Sequence, residues 1–69
     1  MVRVGDKIRV RGDRRDFTDH LDNKVLIVIA TNENCDDTIY ELDDATVVAK
    51  DEEGSNWYIW TKNIVEVVE

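Results

Sequence analysis

His20 and Cys35 are the only histidine and the only cysteine of the chain, so any proton-transfer or thiol reaction would rest on them. A nucleophile needs a base within hydrogen-bond reach and a third group to orient that base. The two residues fall in different polar stretches, and neither sits in a motif that supplies such a partner. The plainer reading, a solvated loop histidine and an incidental thiol, outweighs a catalytic pair. Asp43-Asp44 and Asp51-Glu52-Glu53 could offer carboxylate oxygens to a hard cation, yet neither has the alternating ligand spacing of a calcium loop. Gly5 and Gly12 do not form a phosphate cradle, since no glycine-rich turn leads into a helix through Lys-Ser or Lys-Thr. One cysteine makes neither an internal disulfide nor a multi-cysteine zinc site. No catalytic residue, metal site or cofactor is expected, and the chain does not read as an enzyme.

Its charged and aromatic residues suggest binding instead. Arg3, Lys7, Arg9, Arg11, Arg14 and Arg15 face only Asp6 and Asp13 over residues 1–15, a net charge of +4. Residues 16–69 carry -11, which leaves the chain at -7. Such asymmetry governs the choice of partner more than the fold. The six bases could track phosphates, with Tyr58 or Trp60 as a stacking face for bases. Set against this, opposite charges often pair across a solvated sheet, and Glu66 and Glu69 are candidates for that. The acidic total favours the pairing, because a nucleic-acid footprint needs clustered positive charge.

Tyr40, Trp57, Tyr58 and Trp60 are four of the five aromatic residues. Alternation places Trp57 and Trp60 on opposite faces of one strand, one in the core and the other partly exposed. An exposed Trp beside a Tyr is a protein-interface anchor, although both could equally lid a small barrel. Asp16, Asp19 and Asp22, with the carboxylates that follow as far as residue 53, could imitate a phosphate pattern and occupy a basic protein groove. Their plainer role is solubility. The leading expectation is a protein partner, for example basic host machinery, met by Tyr40, Trp57, Tyr58, Trp60 and the acidic loops. The alternative is nucleic acid on the basic first strand.

These residues must be held by strands. Over residues 2–11, Val2, Val4, Ile8 and Val10 alternate with Arg3, Lys7, Arg9 and Arg11, the pattern of a half-buried strand. Gly5-Asp6 interrupts it, so pairing is expected from about residue 7. Residues 12–23 form a long polar excursion pinned by Phe17 and Leu21, and ordered loops of that length tend to carry function. Residues 24–31, KVLIVIAT, read as the central strand, covered on both faces or bent between two sheets. A polar loop over 31–37 holds Cys35, and residues 38–42 alternate as a further strand. Residues 45–50 and 56–60 form a hairpin across a turn in which Gly54 takes positive φ. A short 3₁₀ turn over 61–64 and a last strand over 65–68 complete the chain.

Sixty-nine residues and 8.0 kDa make one domain, 1–69, with a single modest core. No apolar run approaches roughly 18 residues, and the first residues lack the apolar stretch of a secretory signal. A soluble, cytoplasmic protein is expected. Five or six short strands without a long helix suit an all-β SH3-like barrel of short antiparallel strands, which by curling limits exposed edges. An OB-type barrel is the rival, but it usually needs a longer chain and a helix that no segment supplies.

The phrase Val4-Gly5-Asp6-Lys7-Ile8-Arg9-Val10 resembles the first strand of SH3-like and KOW-like barrels. The ending Trp57-Tyr58-Ile59-Trp60-Thr61-Lys62-Asn63-Ile64-Val65-Glu66-Val67-Val68 is similar to that of small bacteriophage barrel proteins, which close with an aromatic strand, a short turn and a final strand. The resemblance implies the barrel and a phage origin, with the host cytoplasm as the place of action. It says less about function, because such barrels host many binding roles. The chain departs from KOW modules in its acidic later loops. It departs from eukaryotic SH3 domains in lacking their aromatic-rich opening and their proline near the last turn.

Overall fold

β-Branched residues and period-two alternation favour short strands, and a computed structural model of the chain shows five of them among the residues it describes. It describes residues 2–32, 42 and 45–68. The strands are β1 (Lys7–Val10), β2 (Val25–Ala30), β3 (Thr46–Lys50), β4 (Asn56–Trp60) and β5 (Ile64–Val68). The connections include three 3₁₀ turns, η1 (Arg14–Asp16), η2 (Asp19–Leu21) and η3 (Thr61–Asn63). All strand pairs are antiparallel, in one sheet ordered β4-β3-β2-β1-β5. The expected all-β architecture is therefore present, with the apolar stretch after residue 24 at the centre of the sheet. The further strand expected over 38–42 falls mostly outside the described residues.

Ile8 and Val10 of β1, Leu26 and Val28 of β2, Val47 and Ala49 of β3 and Ile59 of β4 form one buried cluster, joined by Leu21. Val2, Trp57 and Ile64 pack against it. Residues of both outermost strands, Ile59 of β4 and Ile64 of β5, thus meet the same core. The sheet curls on itself in the manner of a small barrel. Register shifts between Val28 and Ala30 and between Arg9 and Val10 mark where it bends.

Two expectations change. Phe17 does not anchor the long loop, because it is 80% exposed, whereas Leu21 is buried. β2 is not covered on both faces either: Leu26, Val28 and Ala30 are buried, but Ile27 points outward and is 46% exposed. An aliphatic residue in a strand satisfies strand propensity on either face, so the sequence run alone could not show which face water reaches.

Candidate functional site

The hairpin carrying the aromatic residues is set by its turn. The Asp51 backbone N–H donates to the Ser55 carbonyl at 2.9 Å, and Gly54 takes φ +84°. That turn fixes the register Lys50↔Asn56, Ala49↔Trp57, Val48↔Tyr58, Val47↔Ile59 and Thr46↔Trp60. Trp57 and Ile59 consequently face inward with Ala49 and Val47. Tyr58 and Trp60 face outward, 52% and 39% exposed. Of the two tryptophans, Trp57 is the one packed on the core.

Directly opposed residues of neighbouring strands share a face. Asn56, Lys50, Ile27, Lys7 and Val68 accordingly stand in one cross-strand row on the outside of the sheet. Tyr58 lies beside this row, two residues along β4 from Asn56. The Lys62 ammonium sits 5.6 Å from the centre of the Trp60 ring, within cation–π range. The outward aromatic residues thus share their face with lysines.

Carboxylates collect at another end, around the inward tryptophan. Asp51 Oδ1 accepts from the backbone N–H groups of Glu53 and Ser55, both at 2.9 Å. Its Oδ2 accepts from Trp57 Nε1 at 2.8 Å. The Trp57 hydrogen bond, then the Ser55 and Glu53 amides and the nearby His20, hold the Asp51 carboxyl below the usual carboxylate range. His20 stands edge-on to Trp57, with ring centres 4.8 Å apart. An open cleft of about 180 Å³ lies here, with Leu21 and Val25 as its apolar lining. Asp51, Glu52 and Glu53 stand around it, as do His20 and Lys24. Asp19 begins η2 and is exposed, whereas Asp22 holds the loop by accepting the Gly12 N–H at 2.9 Å.

The basic first strand is partly neutralised. Arg9 lies opposite Glu66 in the register, and its Nε donates to Glu66 Oε1 at 3.1 Å. Arg9 also reaches the Asn23 carbonyl at 3.2 Å. Among the described residues, no carboxylate comes within ion-pair distance of Arg3, Lys7, Arg11, Arg14 or Arg15. Tyr40, Cys35, Asp43, Asp44 and Glu69 lie outside the described residues, as does the side chain of Asp16. Charge divides along the chain more sharply than the totals suggest. Residues 33–44 hold six acids and no base, and Glu69 is the seventh excess acid, so all other residues together are neutral. Among the described residues, no group of three His, Cys, Asp or Glu side chains could hold a metal ion, and no helix is long and apolar enough to cross a membrane.

Phe17 was the residue that the sequence misplaced. It sits at the tip of the β1–β2 connection with φ 59° and ψ 28°, in the left-handed region. No signal in residue type marks it as outward-facing. No family model, curated protein or solved structure matches the chain.

Proposed function

We propose that this protein is a non-enzymatic binding module, an SH3-like barrel of phage type, that engages a protein partner through Tyr58 and Trp60. The carrying observation is the outward pair itself: two large aromatic side chains held half in water on a paired strand, while Trp57 fills the core. Rigidly presented Trp and Tyr lose little entropy on contact and dominate interface energetics. The acid-rich stretches 16–22, 33–44 and 51–53 would steer a basic partner surface toward the molecule, in the host cytoplasm if the chain is phage-borne.

Capture from bacterial lysate tests this with the wild type and a Tyr58→Ala/Trp60→Ala double variant side by side. One protein should be retained by the wild type, less so as salt rises, and lost by the variant. Equal capture by both removes the aromatic face from the mechanism.

A second reading is favoured by one arrangement, the lysines on the aromatic face. Lys50 and Lys62 beside Tyr58 and Trp60, with Lys7 further along the same cross-strand row, would combine phosphate contacts with base stacking, the pattern of single-strand binders. Neutrality outside residues 33–44 and Glu69 weakens the objection from net charge. Fluorescence anisotropy with a labelled oligonucleotide decides it. Tight binding at near-physiological salt that Lys7→Glu or Lys50→Glu abolishes would replace the protein-partner reading.

A further inference from the structure

Residues 13–18 form a loop closed on itself. Thr18 is buried, and its Oγ1 accepts from the Asp13 N–H at 3.0 Å and donates to the Asp13 carbonyl at 3.2 Å. The Thr18 N–H donates to the same carbonyl at 3.0 Å. Asp13 Oδ1 in turn accepts the Arg15 N–H at 2.9 Å, which caps η1. The Phe17 N–H closes that turn on the Arg14 carbonyl at 3.3 Å. Arg14, Arg15 and Phe17 therefore share one short projection whose two ends are tied together. Gly12 seats it on the end of β1, lying so near the Thr18 carbonyl oxygen that a Cβ would meet it at 2.7 Å. Arg11, at the foot of the loop, is fixed by its backbone N–H on the Asn63 carbonyl at 2.7 Å.

These bonds hold a bulky residue in the left-handed region with most of its ring in water. Such a conformation costs free energy, persists only where its surroundings enforce it, and is concentrated at functional sites. Arg11, Arg14 and Arg15 are exposed, and among the described residues none has a carboxylate within ion-pair distance. Asp13 is turned back onto the Arg15 N–H, and Asp22 onto the Gly12 N–H. Residues 11–18 hold three bases and two acids, so the acid excess of the chain lies elsewhere. A ligand that suits this loop must offer negative charge beside a flat apolar face. An acidic peptide supplies the charge without the face, and a duplex hides its base faces in its own stack. A single strand of nucleic acid alternates phosphates with exposed bases. We infer that this loop is a single-strand binding site, in which Phe17 stacks on a base and Arg11, Arg14 and Arg15 contact the flanking phosphates. Because the loop is already ordered, little freedom is lost on contact. The site needs neither the lysine row nor Tyr58 and Trp60, so either reading of the outer face can fail without it.

Fluorescence anisotropy of a labelled thymidine oligonucleotide of about 12 nucleotides, titrated at salt from about 50 to about 200 mM, tests it. The wild type should bind, and an unlabelled duplex of the same length should compete roughly tenfold less well. Phe17→Asn should weaken binding about tenfold, as loss of one stacked base does, and leave the salt dependence unchanged. Asparagine tolerates the left-handed region better than phenylalanine, so this variant stays folded, and near-ultraviolet circular dichroism checks that it has. Phe17→Trp should keep the wild-type affinity, with its added fluorescence quenched by the oligonucleotide. Arg14→Gln/Arg15→Gln should instead shrink the slope of log K against log salt by about 1.4, the share of two phosphates in a single strand. Lys7→Glu and Lys50→Glu, which probe the outer face, should leave this binding in place. A wild type that ignores the oligonucleotide overturns the proposal, as does a duplex that competes equally. Full affinity in folded Phe17→Asn, with binding lost in the two lysine variants, would put the strand on the outer face and overturn it too.

Discussion

Asp51 is the most heavily bonded acid among the described residues, with two backbone amides on one oxygen and the Trp57 indole on the other. In Asp51→Asn an amide NH₂ would have to face either the indole N–H or the two backbone donors, which leaves at least one donor unmatched. Because the folded carboxyl titrates below its ordinary value of 3.8, the carboxylate contributes stability above that value. That contribution is lost as pH falls through the folded pKa. Urea denaturation should show the wild type more stable than Asp51→Asn at pH 7, with the gap narrowing below about pH 4. Gly12 gives a second local prediction. A Cβ there would meet the Thr18 carbonyl oxygen at 2.7 Å and the Asp19 Cα at 2.9 Å, backbone atoms that cannot swing aside. Gly12→Ala should lose about 1–3 kcal/mol by the same measurement, as overpacked positions do. The hairpin turn was legible in the run Asp51-Glu52-Glu53-Gly54-Ser55-Asn56, because glycine marks positive φ. Which of the three acids bonds the indole was not, since all three offer the same chemistry until the turn is closed.

Strands were readable because alternation and β-branching act locally. The segments around Ile8, Leu26, Val48, Ile59 and Glu66 fall where periodicity puts them. The β1–β2 connection was not, because Phe17 and Leu21 stand four apart, a spacing that would align them on one continuous helix. The chain instead makes two separate 3₁₀ turns, with Phe17 in a left-handed conformation between them, and that break sends the two side chains opposite ways. Thermal or chemical melting separates their roles. Leu21→Ala should cost about 2–5 kcal/mol as a core truncation. Phe17→Ala should change stability by less than about 0.5 kcal/mol, as exposed substitutions do. Equal losses at the two positions would place Phe17 in the core after all.

At the scale of the described surface, Lys50 and Lys62 accompany the outward aromatic residues, whereas Asp51, Glu52 and Glu53 stand with Lys24 around the cleft beside His20. Total charge could not reveal this division, since a sum carries no positions. The curl of the sheet was inferable from the number of short strands, but the exposure of Ile27 required knowing which strands cover which face. That curl still leaves β5 at the end of the hydrogen-bonded order, with Val65 and Val67 55% and 47% exposed and no lysine or proline in the strand. Glu66, the one charge in β5, is held by Arg9. A strand of this kind is a template for further strands from other chains. Concentrated stocks should therefore cloud on prolonged storage, with thioflavin T fluorescence rising as they do. Val65→Lys should keep them clear without altering the melting temperature.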